Sequence, residues 1–443
     1  MRFLKGLSFK QRLFGTLSCV IVYVLMLLIP IPFANRAAAA DYISGSGLSI
    51  FERLTGGDLS NVSFAALGIS PYISASILLQ LAGVVIPAVH TMQKNGSAGE
   101  RALKRITFII TIIISLLLSF GFASSYATNG LLTSSSPMTI FLTGISFTIG
   151  VVVLCSLAFL ITEYFFGNGV SIFLFCGIVR TLIRDFISYY FLISEKFPGV
   201  ARYCIFGLVL ALAVGFFVFI AWLNRKDKLI PVVRPMRLSS TGALDVKYTS
   251  IPIRMLSGGV MPAVFASSMF AFPRLIASFV GSSASWLDIF DSSKWFLNGV
   301  PQIALVGCLV YFGFILWAEF YCQSLSASPS EMADSFKQGS AVVNGLMPGK
   351  TTEAFLKKEF SQAAKRSSLV MAGIVILPMI VSSWFSVPMM GFIGTSSVIV
   401  VVVFCELLAE FRNGVRFDHL KKVKNIFVAD KIRVDGGLSV ENR

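Results

Sequence analysis

Apolar stretches of near-membrane length recur along the whole chain, separated by short segments rich in charge, Gly, Pro and Ser. A helix needs about 20 such residues to cross a hydrocarbon core. Hydropathy places candidates at 13–33, 71–88, 105–126, 139–163, 170–190, 203–223, 256–277, 301–321, 367–387 and 391–411. Peptide groups find no water at that depth and must bond internally, so the pattern predicts an all-α integral membrane protein with ten transmembrane helices. The segment 42–67 interrupts it. It carries Glu52, Arg53, Gly56, Gly57, Asp58 and Asn61, is too polar to span, and yet runs directly into the second helix. It is expected either to fold back into the protein, where protein or water surrounds its backbone, or to form an ordinary external loop.

Composition points the same way. Of 443 residues 55% are hydrophobic and 13% charged, more apolar surface than soluble domains of this length hide. The net charge of +15 would suggest nucleic acid if the cations formed one patch. They lie instead in the segments between spans. With a cytosolic N-terminus, the inside segments are 1–12, 89–104, 164–169, 224–255, 322–366 and 412–443, and they hold most of the 37 basic residues once Arg105, at a helix edge, is included. Outside lie Arg36, Arg53, Lys196, Arg202, Arg274 and Lys294, with Arg180 and Arg184 in the outer part of the fifth helix. The asymmetry places both termini in the cytosol of a multi-pass protein of the cell membrane, and no direct sequence-specific nucleic-acid binding is expected. The first apolar run is read as an uncleaved helix, although Ala37 to Ala40 resembles a cleavage site.

Candidate chemistry is sparse. Cys19, Cys155, Cys176, Cys204, Cys308, Cys322 and Cys405 show neither paired nor ligand-like spacing, so free thiols and no metal are expected. His90 and His419 fall on cytosolic segments. Glu163, Glu319, Glu406 and Glu410 lie near cytosolic span ends, and Arg180, Arg184 and Asp185 near an external end. An ionisable group at midplane usually marks proton or ion coupling. With none expected there, and no nucleophile–base set or phosphate loop, neither an enzyme nor a cofactor is expected. Two rivals keep distinct signatures: a small-solute carrier needs a polar midplane site, and a lipid- or glycan-modifying enzyme needs carboxylates or histidines facing one cavity.

An internal repeat is the strongest local feature. Gly68-Ile69-Ser70-Pro71-Tyr72-Ile73-Ser74-Ala75-Ser76 aligns with Gly259-Val260-Met261-Pro262-Ala263-Val264-Phe265-Ala266-Ser267. Each copy opens a helix with a proline, whose missing N–H has no partner there in any case. The copies open the second and seventh spans, five apart, so equivalent helices cross in opposite directions. That is the inverted-repeat plan, with a pathway between the halves.

The stretch Ala65-Ala66-Leu67-Gly68-Ile69-Ser70-Pro71-Tyr72-Ile73-Ser74-Ala75-Ser76-Ile77-Leu78-Leu79-Gln80-Leu81 resembles the second-helix signature of the SecY family. Further resemblance follows in order at Thr162-Glu163-Tyr164 with Gly167-Asn168-Gly169-Val170-Ser171, at Ile251-Pro252-Ile253 through Phe272-Pro273, at Pro348-Gly349-Lys350-Thr351, and at Gly394-Thr395-Ser396 through Val403. The resemblance implies a passive protein-conducting channel. Its inverted halves would be 1–199 and 200–411, followed by a basic cytosolic tail, 412–443. The segment 42–67 would be a re-entrant plug, and helices two and seven would part as a lateral gate carrying Gln80, Ser267 and Ser268. Six aliphatic side chains, Ile69, Ile73, Leu174, Ile178, Val264 and Ile399, would ring the pore. An apolar throat of this kind is poorly wetted and resists ions. The resemblance further implies SecE-like and SecG-like subunits, signal sequences and unfolded preproteins as cargo, and a SecA-type ATPase or a ribosome. The last would dock on Met347, Pro348, Gly349, Lys350, Arg234 and Arg237. Two positions depart from the family pattern: Tyr23-Val24-Leu25 is apolar where an arginine is usual, and Met347 replaces the arginine of an Arg-Pro-Gly tip.

Overall fold

A computed structural model of the chain describes residues 9–31, 33, 39, 52, 56–94, 96–132, 134, 136–196, 200–238, 244–254, 261–280, 289–290, 301–326, 329–338, 342–343, 346–347, 349–384, 396–412 and 414–415. The helices of the first part are α1 (Phe9–Leu28), α2 (Ser70–Val85), α3 (Pro87–Lys94), α4 (Gly96–Thr128), α5 (Pro137–Tyr164), α6 (Gly169–Lys196) and α7 (Ala201–Asn224). Strands β1 (Asp227–Leu238) and β2 (Leu244–Arg254) follow, then α8 (Met261–Val280), α9 (Pro301–Ser326), α10 (Pro329–Gln338), β3 (Val342–Val343) and α11 (Lys350–Trp384). A last helix, α12, covers 396–412. Among the described residues, Phe9–Leu28, Ala98–Thr128, Pro137–Tyr164 and Arg202–Asn224 are long and apolar enough to cross a membrane by length and composition.

Prolines account for several shifts from the expected boundaries. Helix α1 stops at Leu28 instead of 33, because the chain turns at Pro30 and its backbone bonds go to the polar segment: Ile31 N donates to Val62 O and Phe64 N to Ile29 O. Helix α2 stops at Val85 instead of 88. Pro87 cannot donate to the preceding turn and its ring crowds it, so it begins α3 instead. Helix α4 starts at Gly96, so Arg101 and Lys104, expected in the inside segment, and Arg105, expected at the helix edge, all fall on its opening turns, with Lys104 paired to Glu100 at 2.9 Å.

The largest departure concerns the two long inside segments, which are structured and joined. The run Ile251-Pro252-Ile253-Arg254, at the end of the inside segment 224–255, belongs to β2, and α8 is described from Met261. Strands β1 and β2 form an antiparallel hairpin with Arg234 opposite Lys247, and β3 adds to β1 through the pairs Val232–Val343 and Val233–Val342. Ile230, Val232, Ile253, Phe336, Val343 and Leu356 make a separate small core beneath this sheet. Helix α9 runs to Ser326 and α11 begins at Lys350, so much of 322–366 is helical.

The main apolar core draws on α1, α2, α5, α6, α7, α8, α9, α11 and α12. Helix α8 packs on α9 and also reaches α2 and α4 of the first part.

Candidate functional site

Both copies of the repeat carry their proline on a helix: Pro71 is the second residue of α2, whose N-cap is Ile69, and Pro262 lies on α8, which is described from Met261. Ile73 and Val264, equivalent in the repeat, are both buried, as are Ala75 and Ala266. The residues 256–260, including Gly259 and Val260 of the second copy, lie outside the described residues.

All six aliphatic positions are buried, Ile178 and Ile399 completely, and all six belong to the one continuous core. They come from four places: Ile69 and Ile73 at the start of α2, Leu174 and Ile178 one turn apart on α6, Val264 in the first turn of α8, and Ile399 in α12.

Against this cluster sits the polar segment, described at Glu52 and 56–69. The rest of 42–55 lies outside the described residues. Its turn is held to the helices backbone to backbone. Gly56 has a φ of +66°, and a Cβ there would lie 2.9 Å from Gly177 Cα and 3.3 Å from Ile178 N, so the turn touches the α6 stretch that carries Ile178. Tyr23 of α1 donates its hydroxyl to Gly56 O at 2.8 Å, and Tyr126 of α4 donates to Leu59 O at 3.1 Å. Tyr23 therefore ties α1 to the segment in the stretch where the usual arginine is missing, while Val24 faces outward.

Sequence reasoning missed the charges in this seat. Asp58 is 0% and Glu52 1% exposed. Arg180 of α6 binds Asp58, Arg184 binds Glu52 at 2.6 Å and approaches Asp58 at 3.7 Å, Ser60 donates to Glu52 at 2.6 Å, and Asn61 to Asp58 at 2.8 Å. Burial pushes the Glu52 carboxyl above the ordinary carboxylate range, against the opposing pull of Arg184 and Ser60. The available signal was two arginines four apart on an apolar helix, balanced by two acids of opposite sign in the polar segment before α2.

The gate residues are placed differently from one another. Ser267 is buried, donates to Ala263 O at 2.7 Å and lies 3.0 Å from the Tyr311 hydroxyl of α9, within its own half; Gln80 and Ser268 are half-buried. Elsewhere Glu319 on α9 is fully buried and accepts a hydrogen bond from Ser367 of α11.

Of the docking residues, Met347 is 83% exposed, Gly349 has a φ of +139°, and Lys350 is exposed at the first turn of α11. The hydroxyls of Thr351 and Thr352 both donate to Met347 O, at 2.9 and 2.8 Å, which fixes the tip. Arg234 and Arg237 lie on β1 of the sheet that β3 joins to this region, and Pro348 lies outside the described residues. At the base of the sheet, beside the Lys228–Glu359 pair at 2.6 Å, opens a cavity of about 340 Å³ that Lys226, Ile253 and Arg366 also line.

A family model described as SecY matches residues 63–408 of the chain. The protein translocase subunit SecY of Escherichia coli (strain K12) is 31% identical over 408 residues, covering 90% of each chain. Among solved structures, a SecY protein whose plug domain stabilises the closed state of the translocation channel and maintains a membrane seal is similar with a TM-score of 0.69 at 16% identity, over 94% of both chains. A canine ribosome-channel complex from the endoplasmic reticulum contains a chain similar with a TM-score of 0.65 at 15% identity, over 93% of this chain and 94% of that one.

Proposed function

The chain belongs to the SecY family, and on that premise we propose that it is the pore-forming subunit of a protein translocase, conducting unfolded secretory chains across a membrane and releasing apolar segments sideways between α2 and α8. The observation that carries this reading is the gathering of six aliphatic side chains from α2, α6, α8 and α12 into one buried cluster, with a polar turn seated against it. An apolar throat excludes ions at rest and offers a sliding chain no strong partner. The segment 42–67 is the plug. It leaves its seat when a signal sequence parts α2 from α8, and the passing chain then takes its place. The chain carries out no chemistry of its own in this reading, and a partner supplies the energy.

Ten spans in two inverted halves, 1–199 and 200–411, place both termini in the cytosol of a cell membrane. Reporters fused after residues 130 and 290 are expected outside, and those after 240, 340 and 430 inside. External labelling at 240 or 340 would overturn this orientation.

The sheet of β1, β2 and β3 and the tip at Met347 to Lys350 form the cytosolic docking face, for a SecA-type ATPase or a ribosome, with SecE-like and SecG-like subunits beside the bundle. The likeness to a channel in a ribosome complex supports the ribosome as one partner. Lys350→Glu tests this face, because Lys350 is exposed beside a rigidly capped turn. In vesicles carrying the whole complex, the variant is expected to lower motor or ribosome affinity several-fold at low salt, with the difference shrinking as salt screens the contact. Equal affinity at every ionic strength would move the contact away from the tip.

A further inference from the structure

We propose that Glu52, Asp58, Arg180 and Arg184 form an ionic latch that holds the plug in the closed throat and sets how strong a signal sequence must be to open it. This rests on the channel reading above and adds to it the groups that fix the opening threshold.

Two carboxylates at 1% and 0% exposure are strongly unfavourable unless paired and hydrogen-bonded. Their charged partners come from one helix, and Arg180 and Arg184 are four apart, so they face the same side of α6. That helix also carries Leu174 and Ile178 of the throat, and Gly177 between them is where the plug turn rests. The plug is thus keyed to the throat helix by charge as well as by shape, and it cannot slide along α6 without separating Asp58 from Arg180 and Glu52 from Arg184.

The pairing is asymmetric in a useful way. The arginine side chains are 29% and 37% exposed while the acids are closed off. When the plug leaves, the partly exposed guanidiniums and the carboxylates face the opened, water-filled throat, so each charge exchanges a partner for hydration. A buried ion pair has a small net worth compared with a well-packed apolar contact, yet removing one member is strongly disruptive because it strands the other. Such a latch gives one seated position and still releases. An apolar signal sequence that parts α2 from α8 loosens the core around Ile73 and Val264; a weak one fails to bring the plug past the ion pairs.

The test uses the full chain with its small membrane partners in vesicles, and reads ion leak at rest, export of a preprotein with an intact signal, and export of one whose apolar signal core has been shortened. Arg180→Gln and Asp58→Asn are each expected to raise resting leak on the order of tenfold or more, to admit the weakened signal, and to leave export of the intact signal unchanged. The double variant Asp58→Asn with Arg180→Gln is expected to leak less than the sum of the two single variants, because neither member then strands the other. Should Asp58→Asn fail to accumulate in the membrane, Glu52→Gln, which keeps the shape facing Ser60 and Arg184, carries the same expectation. Variants as tight and as selective as the parent, with intact-signal export continuing, would overturn the latch and leave the channel reading in place. Absence of export by the unaltered chain would instead overturn the channel reading itself.

Discussion

Asparagine at Ile399 or Ile73 is expected to make the resting channel leak small ions on the order of ten- to a hundredfold above the parent, while cysteines at Ile73, Val264 and Ile399 crosslink to a stalled secretory chain. The reason is the surroundings. Ile399 is fully buried and Ile73 nearly so, within a cluster of aliphatic and aromatic side chains. An amide placed there without a partner destabilises the closed packing by about 1–3 kcal/mol, and it lowers the cost of wetting a narrow apolar constriction. Since the open state exposes the same position to water or chain, the penalty falls on the closed state alone and shifts the population toward opening. Weak signals are then accepted more readily. Leu78 on α2 and Met269 on α8 are exposed positions of the same helices, and cysteines there are expected to find lipid and give no crosslink. Uniform crosslinking at all five positions, or none, combined with ion-tight asparagine variants, would place the pore elsewhere.

What could be read in advance divides along physical lines. Helices in a bilayer declare themselves through long apolar runs, so α5 and α7 fall close to where hydropathy places them, and α4 contains the expected run and extends nine residues before it. The repeat fixed the equivalence of Ile73 and Val264, because a proline at a helix start is a local requirement. The sheet was illegible. Pro231, Pro235 and Pro252 interrupt its strands and argue locally against them, and β1 forms because β2 and a strand more than a hundred residues away complete its bonds. The seat of the polar segment was illegible for a related reason. Asp58 and Arg180 look like an external acid and a cation near a helix end until the fold brings them together, and Gly56, Gly57 and Gly177 carry no signal that they meet other backbone. Tyr23 stands in the apolar stretch where the family usually has an arginine, and nothing in that stretch signals that its hydroxyl holds Gly56. The six throat positions came from family resemblance, since single aliphatic residues in apolar helices are indistinguishable by composition.

Gly177→Val is expected to unseat the plug more completely than loss of any one charge. A Cβ at Gly177 would lie 2.7 Å from Gly56 Cα and 2.7 Å from the Tyr23 hydroxyl, and neither a backbone atom nor a buried tyrosine oxygen already bonded to Gly56 can step aside by a rotamer change. Overpacking of this kind costs about 1–3 kcal/mol or more where the neighbours are rigid. The weakest element yields first. That element is the turn at 56–58, because α6 is bonded along its whole length, whereas the turn is held by single contacts such as Asp58 N to Ala66 O. Once the turn lifts, the Tyr23 bond is lost and the acids no longer meet Arg180 and Arg184, so backbone and charge contacts fail together. Resting leak should therefore exceed that of the charge-neutral variants, and amides between 58 and 66 should exchange hydrogen faster while those of α6 keep their protection. Gly215→Val is the matched control, since nothing lies within 4 Å of a Cβ there; it should insert normally and stay tight. Gly177→Ala, with a single added methyl, should fall between. A Gly177→Val channel that is as tight as the parent, with unchanged exchange across 58–66, would mean that the plug does not rest on α6.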